Sequence, residues 1–196
     1  MSEPTGCAGC CARAETYCDR CDLLVGLPGL RVVDVAAGDG GGGGLRVTVE
    51  SPPAEQGCRV CGVVAASHGR RTVRLVDAPC FGRPVRVGWR KRTWICREPA
   101  CPAGVFTEQD ERIARPRGLL TVRACRWAID QLGSEHASVL GLARQLGTTW
   151  PTVWRSIAPL LEAMADDPAR FDGVTILGST SMCGTTSTNA PVGRGR

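Results

Sequence analysis

The chain has 196 residues, 43% of them hydrophobic, and a formal net charge of +5 at pH 7, enough for one ordinary domain or two small ones. Its longest apolar run, Leu23 to Leu30, is broken by Gly26, Pro28 and Gly29, far short of the ~20 residues of a membrane span, and the N-terminus lacks the basic start and apolar stretch of a secretory signal. A cytoplasmic protein without a membrane partner is expected, and since disulfides are rare in that compartment, the 12 cysteines point first to metal binding.

Charge is unevenly spread. Cys58 to Arg126 holds 15 Lys plus Arg against 5 Asp plus Glu, so the flanks are net acidic. Lys91 is the single lysine among 24 cations. Guanidinium suits phosphate recognition, although a GC-rich genome produces the same bias. A basic middle is the footprint of a nucleic-acid surface or, alternatively, a solvated charged face. Trp89 and Trp94 beside Arg90-Lys91-Arg92 favour the former, because cations and flat rings together suit phosphates and bases.

In chain order, residues 1–21 form a leader with Cys7, Cys10, Cys11, Cys18 and Cys21 and few large apolar side chains; little structure is expected there. Residues 22–57 read as a β-hairpin segment, in which Leu30 to Val35 and Leu45 to Glu50 alternate with strand period. The glycine run between them is a flexible loop, not a phosphate loop, because no Gly-Lys-Ser/Thr follows it. Residues 58–107 read as a zinc-ribbon-like module with strands at Thr72 to Val76, Val85 to Val87 and Arg92 to Cys96, and a turn marked by Pro79, Gly82 and Pro84. Glu108 to Gly118 is a charged connector.

Residues 119–166 then switch to helical period. The first helix runs from Thr121, its N-cap, to Leu132, with Gly133 as stop. The second spans Ser138 to Leu146 and ends at Gly147. Thr149 caps a third, with Pro151 in its first turn, and Pro159 is expected to break or kink it before a new helix to about Ala165. The expected fold class is α+β: a small β-rich zinc-ribbon module, an all-α helix-turn-helix, and disordered termini.

Cys58-x2-Cys61 and Cys96-x4-Cys101 are two knuckles able to supply the four tetrahedral thiolates that zinc prefers, so Zn2+ is the expected cofactor, stapling a sheet with a thin core. Cys18-x2-Cys21 either joins two of the other leader cysteines in a second site or stays unligated. Cys80 reads as a packed or surface thiol, Cys125 as a small core residue, and His68 and His136 as turn and loop residues. No catalytic triad or carboxylate pair stands out.

Ser138 to Ile157 has the pattern of a helix-turn-helix. Ala143 allows a close crossing, Gly147 a left-handed turn, and Leu142, Leu146, Val153 and Ile157 form the shared core. Thr148, Thr149, Trp150, Thr152 and Arg155 would then reach the major groove, while Arg70, Arg71, Arg90, Lys91 and Arg92 contact phosphates.

The ordered set CRVCG, HGRRTVRLVDAP, WRKRTWIC and CPAGVFTE, with the helix-turn-helix after it and FDGVTILG beyond, resembles the N-terminal region of ISL-three-type insertion-sequence transposases, over about Asp22 to Gly178. The resemblance implies zinc ligation by Cys58, Cys61, Cys96 and Cys101, binding to double-stranded DNA at transposon terminal inverted repeats, and association with the nucleoid. In the family a DDE carboxylate triad with divalent metal cuts and joins DNA, and its first acidic residue would directly follow Leu177-Gly178. Here Ser179-Thr180-Ser181 stand instead. The chain is therefore expected to be no enzyme, with 172–178 a remnant leading toward the catalytic domain and 179–196 a disordered, frameshifted tail. Gly178 to Thr186 can be encoded so that dropping two bases restores V-D-E. A homo-oligomer or an intact transposase is the protein partner expected. A zinc-stabilised transcription regulator and a protein-interaction module that inhibits an intact transposase are the rival readings.

Overall fold

The computed structural model describes residues 17–38 and 43–174. The expectations for Cys7, Cys10 and Cys11, for 175–178 and for the tail from Ser179 fall outside these residues. The elements are α1 (Asp19–Val25), β1 (Arg31–Ala37), β2 (Leu45–Glu50), β3 (Ala66–Cys80), β4 (Arg83–Ile95), β5 (Val105–Thr107), α2 (Val122–Ser134), α3 (Val139–Gln145) and α4 (Trp150–Asp166), followed by a 3-10 turn at Pro168–Phe171. The fold is α+β.

One five-stranded sheet has the order β1-β2-β4-β3, with β5 also pairing with β4. β1 and β2 form the expected antiparallel hairpin. That hairpin is not separate from the cysteine-bounded strands, because β2 lies parallel to β4, Leu45 opposite Val85 and Glu50 opposite Arg90. Two of the expected short strands fuse into β4, which pairs antiparallel with β3 over its length. The turn between them tightens to Phe81-Gly82, both at positive φ.

Two hydrophobic cores result. The first gathers Val32, Val47, Val49, Leu75, Val85, Val87 and Trp89 with Leu27, Leu30, Ile113 and Ala114. The second gathers Val76 and Leu120 with the inner faces of α2, α3 and α4. Leu75 and Val76 are adjacent in β3 but serve different cores, because successive strand residues point to opposite faces. Edge strand β3 is also covered by the connector: Val76 N–H donates to the Leu119 carbonyl (2.8 Å) and Thr121 N–H to the Val76 carbonyl (2.9 Å), which shields an edge otherwise open to foreign strands.

At this junction Asp77 is fully buried. Its carboxylate accepts from Thr121 Oγ1 (2.6 Å), from Arg123 Nε (2.8 Å) and from the Ala78 N–H (2.9 Å), and a second Arg123 nitrogen bonds its other oxygen. The carboxylate raises the Arg123 pKa above its ordinary value, against the effect of burial. Thr121 also caps α2, accepting from the Ala124 N–H (3.1 Å).

Three local expectations change. The leader's last residues enter α1, which Gly26 closes in a left-handed conformation, and Asp22 accepts from the Val32 N–H and Arg31. Gly133 lies inside α2, and the left-handed residue after the helix is His136. Pro159 does not break α4, which continues to Asp166; the hydrogen bond it forfeits, to the Arg155 carbonyl, lies on an exposed face.

Asp77→Asn should cost about 1–2 kcal/mol, because it removes the counter-charge of a half-exposed guanidinium and weakens the buried hydrogen bonds that the carboxylate accepts. The check is a urea titration in which the midpoint falls while the slope stays constant.

Candidate metal centre and helix-turn-helix

The two knuckles are built by backbone hydrogen bonds. Gly62 N–H donates to the Cys58 carbonyl (2.9 Å) and Cys58 N–H to Val63 (2.8 Å), with Gly62 at φ +76, a conformation that glycine adopts without strain. The second knuckle turns on Cys101 N–H to Glu98 (3.0 Å) and Cys96 N–H to Gly104 (3.0 Å). The ladder between Ala66 and Ile95 brings the knuckles together.

The sulfurs of Cys58, Cys61, Cys96 and Cys101 all lie within 4.8 Å of one another. Cys58 to Cys101 is 3.7 Å and Cys61 to Cys96 is 3.6 Å. Tetrahedral ligation with metal–sulfur bonds of about 2.3 Å requires sulfur separations of about 3.8 Å, so the four thiols fit a metal ion. The N–H groups of Cys61 and Val60 bring the Cys58 thiol down to about 6. Cys96 behaves oppositely: the Glu98 N–H lowers its pKa, but burial and hydrogen bonding with Cys61 and Cys58 outweigh it, and the thiol is pushed up to about 12. The cluster resists holding four thiolates by itself, and a cation removes that conflict. Among the described residues this is the one His/Cys/Asp/Glu cluster with metal-binding geometry.

The basic run of β4 divides by strand alternation. Val85, Val87, Trp89 and Lys91 are all buried. Lys91 is therefore a correction to its expected place among phosphate contacts: its ammonium lies 4.0 Å from the Trp89 ring centroid and donates to Gln109 Oε1 (2.7 Å), and burial lowers its pKa. Arg90 and Arg92 occupy the other face, where Arg92 stands opposite Arg70. Arg70 and Arg90 both pair with Glu50, at 2.9 and 3.3 Å, and Arg92 donates to the Ser51 carbonyl (3.2 Å). Two guanidiniums share Glu50, while Glu108 accepts from the Arg92 N–H (2.9 Å) beside them. Arg71 is exposed, opposite Lys91.

α3 and α4 pack through Leu142, Leu146, Val153 and Ile157, each fully buried, with Ala143 between them. Ser138 caps α3, accepting from the Gly141 N–H (3.1 Å). Gly147 makes the turn at φ +60, and a Cβ there would stand 3.0 Å from Pro84 Cβ. Arg86 reaches from β4 to the same turn, donating to the Leu146 carbonyl (2.9 Å) and to that of Gly147. Thr148 is half-buried, while Thr149, Trp150 and Arg155 at the start of α4 are exposed. Thr149 and Thr152 share a hydroxyl hydrogen bond of 2.9 Å. Trp150 stacks on Trp154, with centroids 6.2 Å apart and planes 13° from parallel. Trp154 is absent from the sequence-derived set, although its spacing of four from Trp150 places both on one helix face.

This tight helical pair with an exposed second helix has the form of a helix-turn-helix. Residues 111–159 match the helix-turn-helix domain of transposase family ISL3. Residues 111–159 are thus similar to the helix-turn-helix domain of an ISL3-type transposase. No curated protein and no solved structure matches the chain. Among the described residues no helix is long and apolar enough to cross a membrane.

Cys61→Ser and Cys101→Ser should each lower the bound metal by one ion per chain relative to the parent, read by elemental analysis and by the thiolate–cobalt absorption of a Co2+ titration. Affinity in both measurements should fall as pH is lowered, since protons compete for the thiolates.

Proposed function

We propose that the chain binds duplex DNA by setting the start of α4 in the major groove, with zinc in the four-cysteine centre as a structural staple and transposon terminal inverted repeats as target. The observation that carries this reading is the exposed start of α4, held by a buried α3–α4 core inside the segment that matches the transposase family. Thr149, Trp150, Thr152 and Arg155 are the proposed base-reading side chains, with Thr148 at the turn. Arg70, Arg71, Arg90 and Arg92 add phosphate attraction from the sheet. Zinc is favoured for the centre because four thiolates in tetrahedral array are the usual structural zinc donor set.

The proposed role is binding rather than DNA cutting. By the resemblance, Ser179-Thr180-Ser181 would stand where the family's catalytic segment opens, and a hydroxyl does not replace a carboxylate as ligand to a catalytic divalent ion with comparable affinity. Incubation with magnesium and transposon ends should yield no cleaved or joined product on a denaturing gel.

Fluorescence anisotropy tests the binding itself. The parent should prefer a duplex carrying the terminal repeat over a shuffled duplex, and Trp150→Ala or Thr149→Ala should reduce that preference by on the order of tenfold. Equal affinity of the parent for both duplexes would overturn the base-reading assignment.

A further inference from the structure

Four cations without an ion pair among the described residues lie together, away from the arginine run of β4. A groove of about 660 Å3 lies between the connector, α2 and α4. Arg115 and Arg117 line it from the connector, Arg126 from α2 and Arg155 from α4. All four residues are exposed, and none of their guanidiniums makes an ion pair or hydrogen bond among the described residues. Glu111 is the single carboxylate of the lining; neighbouring Asp110 is engaged by Arg112 at 2.7 Å. At the groove floor, burial pushes the Cys125 thiol up, and the positive charge of Arg115 works against that shift.

The connector's backbone also departs from the ordinary here. Arg117 sits at φ +60, in a turn closed by Gly118 N–H to the Arg115 carbonyl (2.9 Å). A side chain in this left-handed conformation costs about 1 kcal/mol relative to glycine. The position thus holds a guanidinium where glycine or asparagine would fit with less strain, and such residues collect at binding sites. Four like charges around one concavity repel one another unless an anion lies between them.

We infer that this groove seats the sugar-phosphate backbone of one strand of duplex DNA, with Arg115, Arg117 and Arg126 on its phosphates. The inference rests on the reading of α4 as the groove-entering helix, and it locates the strand flanking that helix. Arg155 and Thr152 form the boundary: both belong to α4 and both line the groove, so a duplex engaged by the start of α4 has one backbone beside the connector.

The test compares the full metal-loaded chain with Arg115→Ala/Arg117→Ala, and separately with Arg126→Ala, by anisotropy on repeat and shuffled duplexes from about 50 to 200 mM salt. The double variant should weaken both duplexes by the same factor and flatten the log–log salt slope by about 2; Arg126→Ala should flatten it by about 1. Both should keep the parent's ratio between duplexes, and Arg115→Lys/Arg117→Lys should restore the slope. Variants that melt like the parent and keep its slope would overturn the groove while leaving the α4 reading intact. A changed duplex ratio with an unchanged slope would also overturn it, since these side chains would then contact bases. A parent that binds no duplex would overturn both.

Discussion

The arrangement depends on one buried carboxylate. Asp77 lies on the edge strand at the point where the sheet's core gives way to the helical core, and it binds both the residue that caps α2 and the arginine two positions further on. That arginine also reaches the carbonyl of Val25 at the end of α1. One anion therefore joins the first helix, the longest strand and the helical domain. A buried ion pair of this kind adds little net stability over an apolar substitute, but its loss is costly and its geometry admits few alternatives. Its contribution here is to specify how the helices meet the sheet.

That meeting changes how the parts relate. Composition divides the chain into a hairpin, a cysteine module and a helical module, yet β2 pairs directly with β4, and Pro84 and Arg86 of β4 abut the turn between α3 and α4. The residues closest to the recognition turn and those entering the second cysteine knuckle thus lie on one continuous strand. The four-cysteine cluster stands at the distal end of that strand, and the helix-turn-helix rests on its proximal end.

Much of this was legible because it is local. The capping role of Thr121, the left-handed Gly147 and the four-residue core of α3 and α4 are all short-range signals, and both cysteine knuckles carry recognisable spacing; Thr149 precedes α4 without the side-chain cap bond expected of it. What escaped depended on partners distant in sequence. Treating Val85 to Val87 and Arg92 to Cys96 as separate strands hid the alternation that carries Lys91 inward with Val85, Val87 and Trp89; read as one strand, the pattern was present. The pairing of Arg70 and Arg90 with Glu50 could not be read without the parallel register of β2. Arg115 and Arg117 looked like ordinary charges of a connector because only the approach of α2 and α4 makes a groove of them. Pro159 was judged by its intrinsic preference, which tertiary packing of α4 overrides.

Strand β4 is hydrogen-bonded to β2, β3 and β5 along its course, and this bears on how the molecule can diverge. A side-chain period of two leaves no tolerance for a one-residue insertion or deletion between Arg86 and Trp94, because Val87 and Trp89 would turn outward and three registers would slip together. The ends of the glycine-rich connection are joined by the Gly38 N–H to the Gly44 carbonyl (2.8 Å) and by Arg83, which donates to the Gly43 and Gly44 carbonyls, and loop length between such ends carries little energetic weight. Drift in length among descendants of this sequence should therefore accumulate in the glycine-rich connection, while β4 changes by substitution alone.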